Sequence, residues 1–281
     1  MKYLRLGLTE CSLLLFYFFI NIKNDKNIKY DKGLINWLYS TSGFYDKSIK
    51  GSYFDFDNEY YNIINSVIFN NYFTELLKYL YECDYFSICL HQIGIKDRKN
   101  ELFIDYLKIK NIIPEDHKLF NTFLNNKRVL IVSSFAKLIE QQINSGNCNK
   151  INPKFPNIIY TCYYTTPHTF LNNINSNNDE NNILITAEKI KNDINELLKI
   201  HNFDVAVVSC GAYGCLIGGY INDILKKDSY VIGGALCQLF GICSKRFPYN
   251  DNLPNKEYWI KEIPEEYKPK DYLKIEGGCY W

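Results

Sequence analysis

The sequence predicts an α/β fold, a mostly parallel sheet with helices on its faces. Three observations predict it. Short, wholly apolar runs such as Val129-Leu130-Ile131-Val132 and Val205-Ala206-Val207-Val208 read as strands covered on both faces, as in a parallel sheet. Other stretches carry apolar residues three and four apart, Ile190, Ile194, Leu197 and Leu198 among them, and read as amphipathic helices. The two kinds of segment alternate along the chain, the rhythm of a Rossmann-like sheet.

Taken in order, Tyr3-Leu4-Arg5-Leu6 reads as a strand that ends at Gly7. Apolar content then predicts a helix from about Thr9 to Ile22. Its run Leu13–Ile20, behind Lys2 and Arg5, imitates a secretory leader. The run is shorter than the ~20 residues of a membrane span. Glu10 interrupts the approach to it, and no small-residue cleavage site follows. The segment reads as a buried first helix, and the chain as cytoplasmic with no membrane span.

Trp37 and Leu38 predict a second helix that ends before Thr41-Ser42-Gly43. Residues 58–82 predict a long one, with Tyr61, Ile64, Ile68, Phe73, Leu76, Leu77 and Leu80 at helical steps. Residues 85–90 read as a strand, and the polar stretch 96–126 predicts two short helices. Strand 129–132 leads through Ser133-Ser134 into a helix over 135–143. A strand at Ile158-Ile159-Tyr160, an Asn-rich loop at 171–182 and a helix over 183–200 follow. Residues 204–234 read as one unit: strand, glycine turn, helix over 213–227, and a strand at Tyr230-Val231-Ile232. From residue 247 prolines punctuate a Tyr-rich stretch without periodicity. Trp259, Tyr267 and Trp281 within it predict a strap, 247–281, docked on a domain spanning 1–246.

Composition excludes several classes. Apolar residues at 47% of 281 supply a sizeable core, so global disorder is excluded. A net charge of +1 offers no field for nucleic acid or an anionic membrane. Of the ten cysteines, Cys89 and Cys210 lie in apolar strand-like runs and Cys215 and Cys237 near glycine turns, and there is no CxxC or zinc spacing. They read as reduced, buried thiols, with Cys279 the candidate for exposure.

Three loop clusters carry candidate chemistry. Each follows a strand and so belongs at the sheet's carboxyl edge, where ligands of such sheets bind. The first is Gly211-Ala212-Tyr213-Gly214: two glycines allow a tight turn, and the helix start behind them favours a phosphate. Tyr213 is a candidate to stack on a base or sugar. The pattern is not GxGxxG, so a nicotinamide dinucleotide is a poor match. The second runs from Gly233-Gly234 through Gln238 to Lys245-Arg246, with a polar reader and two cations for a pyrophosphate. The third is Arg5-Leu6-Gly7-Leu8-Thr9-Glu10, where Glu10 is a candidate general base or metal ligand. Each has a structural alternative: a packed turn, a loop with solvated cations, and a first-turn carboxylate favoured by the helix dipole. Ser133 and Ser134 are lesser candidates, and the four histidines form no catalytic pattern.

Several segments together carry a resemblance. Arg5-Leu-Gly-Leu-Thr-Glu10 resembles the Arg-Phe-Gly-Asp-Gly-Glu opening of GT-D fold glycosyltransferases. Gly43-Phe44, Arg128-Val-Leu-Ile-Val with Phe135 and Gln141, Ser209-Cys-Gly-Ala-Tyr-Gly214, Gly233-Gly-Ala-Leu-Cys-Gln-Leu-Phe-Gly-Ile242, Lys245-Arg246 and Glu276-Gly-Gly-Cys-Tyr-Trp281 extend the likeness. These resemble a GT-D-like group from bacterial polysaccharide gene clusters. The resemblance implies a sheet that binds a sugar nucleotide and a transfer of hexose to a glycan or glycoprotein acceptor. In GT-D enzymes an Asp-x-Glu motif serves the donor, its Glu linked to a divalent cation such as Mn²⁺ or Mg²⁺. Leu8-Thr9-Glu10 keeps the Glu and lacks the Asp. On this reading Glu10 and Arg5 are catalytic. Gly7, Gly211, Ala212, Tyr213, Gly214, Gly233, Gly234, Gln238, Lys245 and Arg246 hold the donor. The lost Asp keeps a rival open, a non-catalytic sugar-nucleotide-binding or assembly protein on the same fold.

Overall fold

The computed structural model describes residues 1–25, 67–88, 98–113, 119–167, 183–269, 272–274 and 276–281. The strands are β1 (Lys2–Leu6), β2 (Tyr85–Ile88), β3 (Lys127–Ser133), β4 (Ile158–Thr165), β5 (Val205–Ser209) and β6 (Asp228–Val231). They form one six-stranded sheet in the order β2-β1-β6-β5-β3-β4, and every neighbouring pair is parallel. The fold is α/β and Rossmann-like.

The helices are α1 (Leu8–Tyr17), which runs on as a π-helical turn over Phe18–Ile22, α2 (Val67–Leu80) and α3 (Arg98–Leu107). Then come α4 (Phe120–Leu124), α5 (Ala136–Asn144), α6 (Asn147–Ile151), α7 (Ile183–Ile200), α8 (Gly214–Asp223) and α9 (Ala235–Leu239). The expected helix at Trp37-Leu38, residues 58–66 and the Asn-rich loop 171–182 lie outside the described residues, as do Gly43-Phe44, His91, His117 and His168.

Alternation along the strands builds two cores. Leu130, Val132, Ala206, Val208 and Val231 face one side, packed with α1, α2, α7 and α8. Val129, Ile131, Val205, Val207 and Tyr230 face the other, packed with α4, α5 and α9. Both faces are covered, which is why the central strands read as unbroken apolar runs. The run Leu13–Phe19 belongs to the first core, with Leu13, Leu14, Phe16 and Phe18 buried in it. Among the described residues no helix is long and apolar enough to cross a membrane.

Two elements differ most in extent from the sequence reading, while β3 and β6 shift by one or two residues at their ends. β4 reaches Thr165, five residues past the expected Tyr160. It is an edge strand, so Thr161 to Thr165 need not be wholly apolar to stay paired to β3. The helix expected over 213–227 ends at Asp223, and the chain turns back through Lys226 in a left-handed conformation.

The carboxyl-terminal segment lies on the second core. Ile263 and Trp281 are buried there, and the Trp281 indole meets Phe135 edge-on at 6.1 Å. Backbone pairs tie it down, Lys245 N–H to the Trp281 carbonyl at 3.0 Å and Arg246 N–H to the Cys279 carbonyl at 2.8 Å. Buried Gln142 adds a hub: its Nε2 donates to the carbonyls of Phe240, Gly241 and Tyr258, each at 3.1 Å.

Candidate functional site

Strand order decides which loops meet. β1, β6 and β5 are consecutive in the sheet and parallel, so their carboxyl ends open side by side. Adjacent strands lie about 4.8 Å apart, which puts the outer two of these ends roughly 10 Å from each other. The loops that leave them carry Gly7–Glu10, Gly233-Gly234 and Gly211–Gly214.

Gly233 sits in the left-handed region, φ +66°, and a β-carbon there would run into Nη1 of Arg5. The guanidinium of β1 therefore occupies space that only glycine leaves on the neighbouring loop. Ser209, at the end of β5, donates its hydroxyl to the Gly233 carbonyl at 2.8 Å. One residue of the Gly233 loop is thus hydrogen-bonded to β5 and packed against the Arg5 side chain of β1.

Gly7 precedes α1 in an extended conformation, and a β-carbon on it would run into the carboxylate of Glu10. Glu10 folds back over the first turn of its own helix, where the dipole favours a negative charge. It is 8% exposed. Tyr72 of α2 and Cys215 of α8 lie within its field. Burial chiefly raises the pKa of both groups, and the Glu10 charge adds to it. The Cys215 thiol donates to the Arg5 carbonyl at 3.1 Å, and the Tyr72 hydroxyl donates to the Ala212 carbonyl at 2.9 Å.

The Gly211 turn is a single 3₁₀ turn, Gly211–Tyr213, that feeds α8. Gly211 is exposed with φ +56°, whereas Ala212, Tyr213 and Gly214 are buried. Tyr213, at 2% exposure, belongs to the first core, so its ring is no stacking platform for a base or sugar. Alternation along an apolar strand does not tell whether the aromatic in the turn points up or down, which is why the sequence misplaced it. What this turn offers the edge is the backbone of Gly211.

The second cluster divides. Arg246 stays at the edge: its Nη1 lies 3.5 Å from where a Gly234 β-carbon would be, and its guanidinium stacks 5.4 Å over the Tyr280 ring. Lys245 turns the other way and donates to the Gly277 carbonyl at 2.9 Å. Gln238 is exposed on α9. Ser133 is buried and its hydroxyl accepts from the Phe135 N–H at 3.2 Å, so it shapes the start of α5. His201 pairs with the Tyr160 hydroxyl at 2.7 Å on the β4 side of the sheet, away from these loops.

Among the described residues the donor set does not suit a divalent cation held by side chains. Leu8 stands where the motif would supply a second carboxylate. Among the described residues no group of three or more His, Cys, Asp or Glu could hold an ion. The described cysteines are free thiols, eight buried and Cys279 half-buried. Burial pushes Cys83, Cys148 and Cys237 up to about 12, which keeps these thiols protonated and inert at neutral pH.

Tyr72 is the functional-site neighbour that sequence reasoning missed. It lies on the apolar face of a helix whose periodicity was plain, but a tyrosine among Phe and Leu reads as core. The chain matches no family model, no curated protein and no solved structure.

Proposed function

We propose that this chain is a glycosyltransferase, moving a hexose from a sugar nucleotide to a glycan or glycoprotein acceptor. One observation carries the reading: the Arg5 guanidinium is seated against Gly233 between the loops that bear Glu10 and Gly211. A preset cation beside exposed glycine backbone suits the diphosphate of a nucleotide, whose charge grows as the glycosidic bond breaks. Arg246, beside Gly234, adds a second cation to the same edge. On this reading Glu10 takes the proton of the acceptor hydroxyl. No step here runs through a metal ion.

Purified protein offered a panel of sugar nucleotides, with and without Mn²⁺, tests this. A thermal shift and donor turnover with at least one of them is the expected result. Silence across the panel overturns the reading.

Glu10 folded over its own helix turn, without a neighbouring Asp, favours a second reading in which the edge binds a sugar nucleotide without reacting it. Glu10→Gln separates the two. A general base contributes about 10²- to 10⁴-fold, so the enzyme loses turnover by that factor and keeps its donor-induced shift. A binding module shows no turnover to lose.

A further inference from the structure

The carboxyl-terminal segment lines an open cavity of about 390 Å³, a size typical of small-ligand sites. Its lining includes Tyr249, Tyr272, Lys245, Lys261, Lys268 and Glu262. Two of the cations sit over rings, Lys261 at 4.9 Å from Tyr249 and Lys268 at 5.6 Å from Tyr272. Lys268 also bridges Glu262 at 3.0 Å and Glu265 at 3.1 Å, so its charge is shared between these two carboxylates. Lys245 and Lys261 are exposed. An ammonium has three donors, and Lys245 uses one on the Gly277 carbonyl. The cavity therefore combines two tyrosines with an excess of cationic donors.

Its position matters as much as its chemistry. Lys245 is followed directly by Arg246, which lies against Gly234 at the sheet's carboxyl edge. The Tyr280 ring, which Arg246 stacks on, also comes within 3.4 Å of the Gly234 β-carbon position. The cavity and the edge are thus lined by neighbours along the chain, Lys245 and Trp281 in the cavity beside Arg246 and Tyr280 at the edge.

We propose that this cavity binds an anionic saccharide, a sugar that carries a carboxylate or a phosphate. The sugar packs beside the two tyrosines and the anion meets Lys245 and Lys261. Its role as the acceptor site rests on the glycosyl-transfer reading; saccharide binding itself does not.

Calorimetric titration of the full chain without nucleotide tests it, with a hyaluronan tetrasaccharide as the anionic probe and maltotetraose as the neutral one. The tetrasaccharide is expected to bind and maltotetraose to bind at least about tenfold more weakly, the value of one charge-assisted contact. Lys261→Ala and Lys261→Glu, both at an exposed position, are expected to weaken the anionic probe by about tenfold and by more, respectively. Sugar-nucleotide thermal shifts, which report on the edge, should persist in both variants. No binding of the tetrasaccharide, equal binding of the neutral probe, or wild-type affinity in both variants overturns the proposal. Saccharide binding in a chain that answers no sugar nucleotide upholds the cavity and refutes the donor site.

Discussion

Gly233 combines two constraints that no side chain satisfies. Its φ of +66° is left-handed, and the place of its β-carbon is taken by the Arg5 guanidinium. Gly233→Ala is therefore expected to cost about 1–2 kcal/mol from the backbone alone. It should also displace Arg5 and abolish any thermal shift by sugar nucleotides. A Gly233→Ala protein with wild-type stability and an unchanged response would show that Arg5 does not sit where described. Tyr72 is the complementary case, a polar group at full burial. Its hydroxyl anchors the Ala212 carbonyl at 2.9 Å. Tyr72→Phe leaves that carbonyl without this donor in a dry environment and should cost roughly 1–2 kcal/mol by chemical denaturation. An unchanged denaturation midpoint would contradict the anchoring role.

At the scale of an element, α8 is the informative one. Its middle carries Gly218-Gly219, which by helix propensity alone is a defect: Gly→Ala in a helix interior gains about 1 kcal/mol. Packing reverses the sign. A β-carbon at Gly218 would run into Val231 of β6, and one at Gly219 into the Cβ and ring of Tyr79 on α2. The two glycines let α8 press against the sheet on one side and α2 on the other. Gly219→Ala is expected to lower stability by roughly 1–3 kcal/mol, the cost of overpacking, with the urea m-value unchanged. A stabilised variant would mean that α2 and α8 stand further apart.

On the scale of the whole molecule, the two ends of the sheet have separate duties. At the amino ends Arg128 of β3 and Asp204, just before β5, form a forked pair, Nε to Oδ2 at 3.1 Å and Nη2 to Oδ1 at 2.6 Å. The hydrogen bonds from Arg128 hold Asp204 down at about 2. A carboxyl group with a depressed folded value stabilises the fold above its ordinary value near 4 and loses that contribution as pH falls toward 2. Both side chains are about a third exposed, 39% for Arg128 and 30% for Asp204, so water screens the pair. Arg128→Ala should cost about 1 kcal/mol or less at neutral pH. The difference from wild type should narrow as pH is lowered from 4 toward 2, read from denaturation midpoints across that window. Because the candidate site opens at the opposite ends of the strands, donor binding at neutral pH should be untouched. A lost donor response in folded Arg128→Ala would contradict this separation.

Much of this was legible in the chain. Apolar runs, helical spacing and their alternation sufficed for the α/β class, since a strand buried on both faces leaves no polar position to hide it. The three glycine-bearing loops were legible too, each by its place after a strand. Strand order was not, because it depends on contacts far apart in sequence: only the arrangement β1-β6-β5 brings Arg5 to Gly233 across more than two hundred residues. Side-chain direction was equally out of reach. Tyr213 and Lys245 belong by sequence to the ligand loops, and the fold sends one into the core and the other to the strap. Local pattern determines which segments are strands, helices and turns, because those are set by neighbours along the chain. Tertiary packing alone decided which loops share an edge and which of their side chains face it.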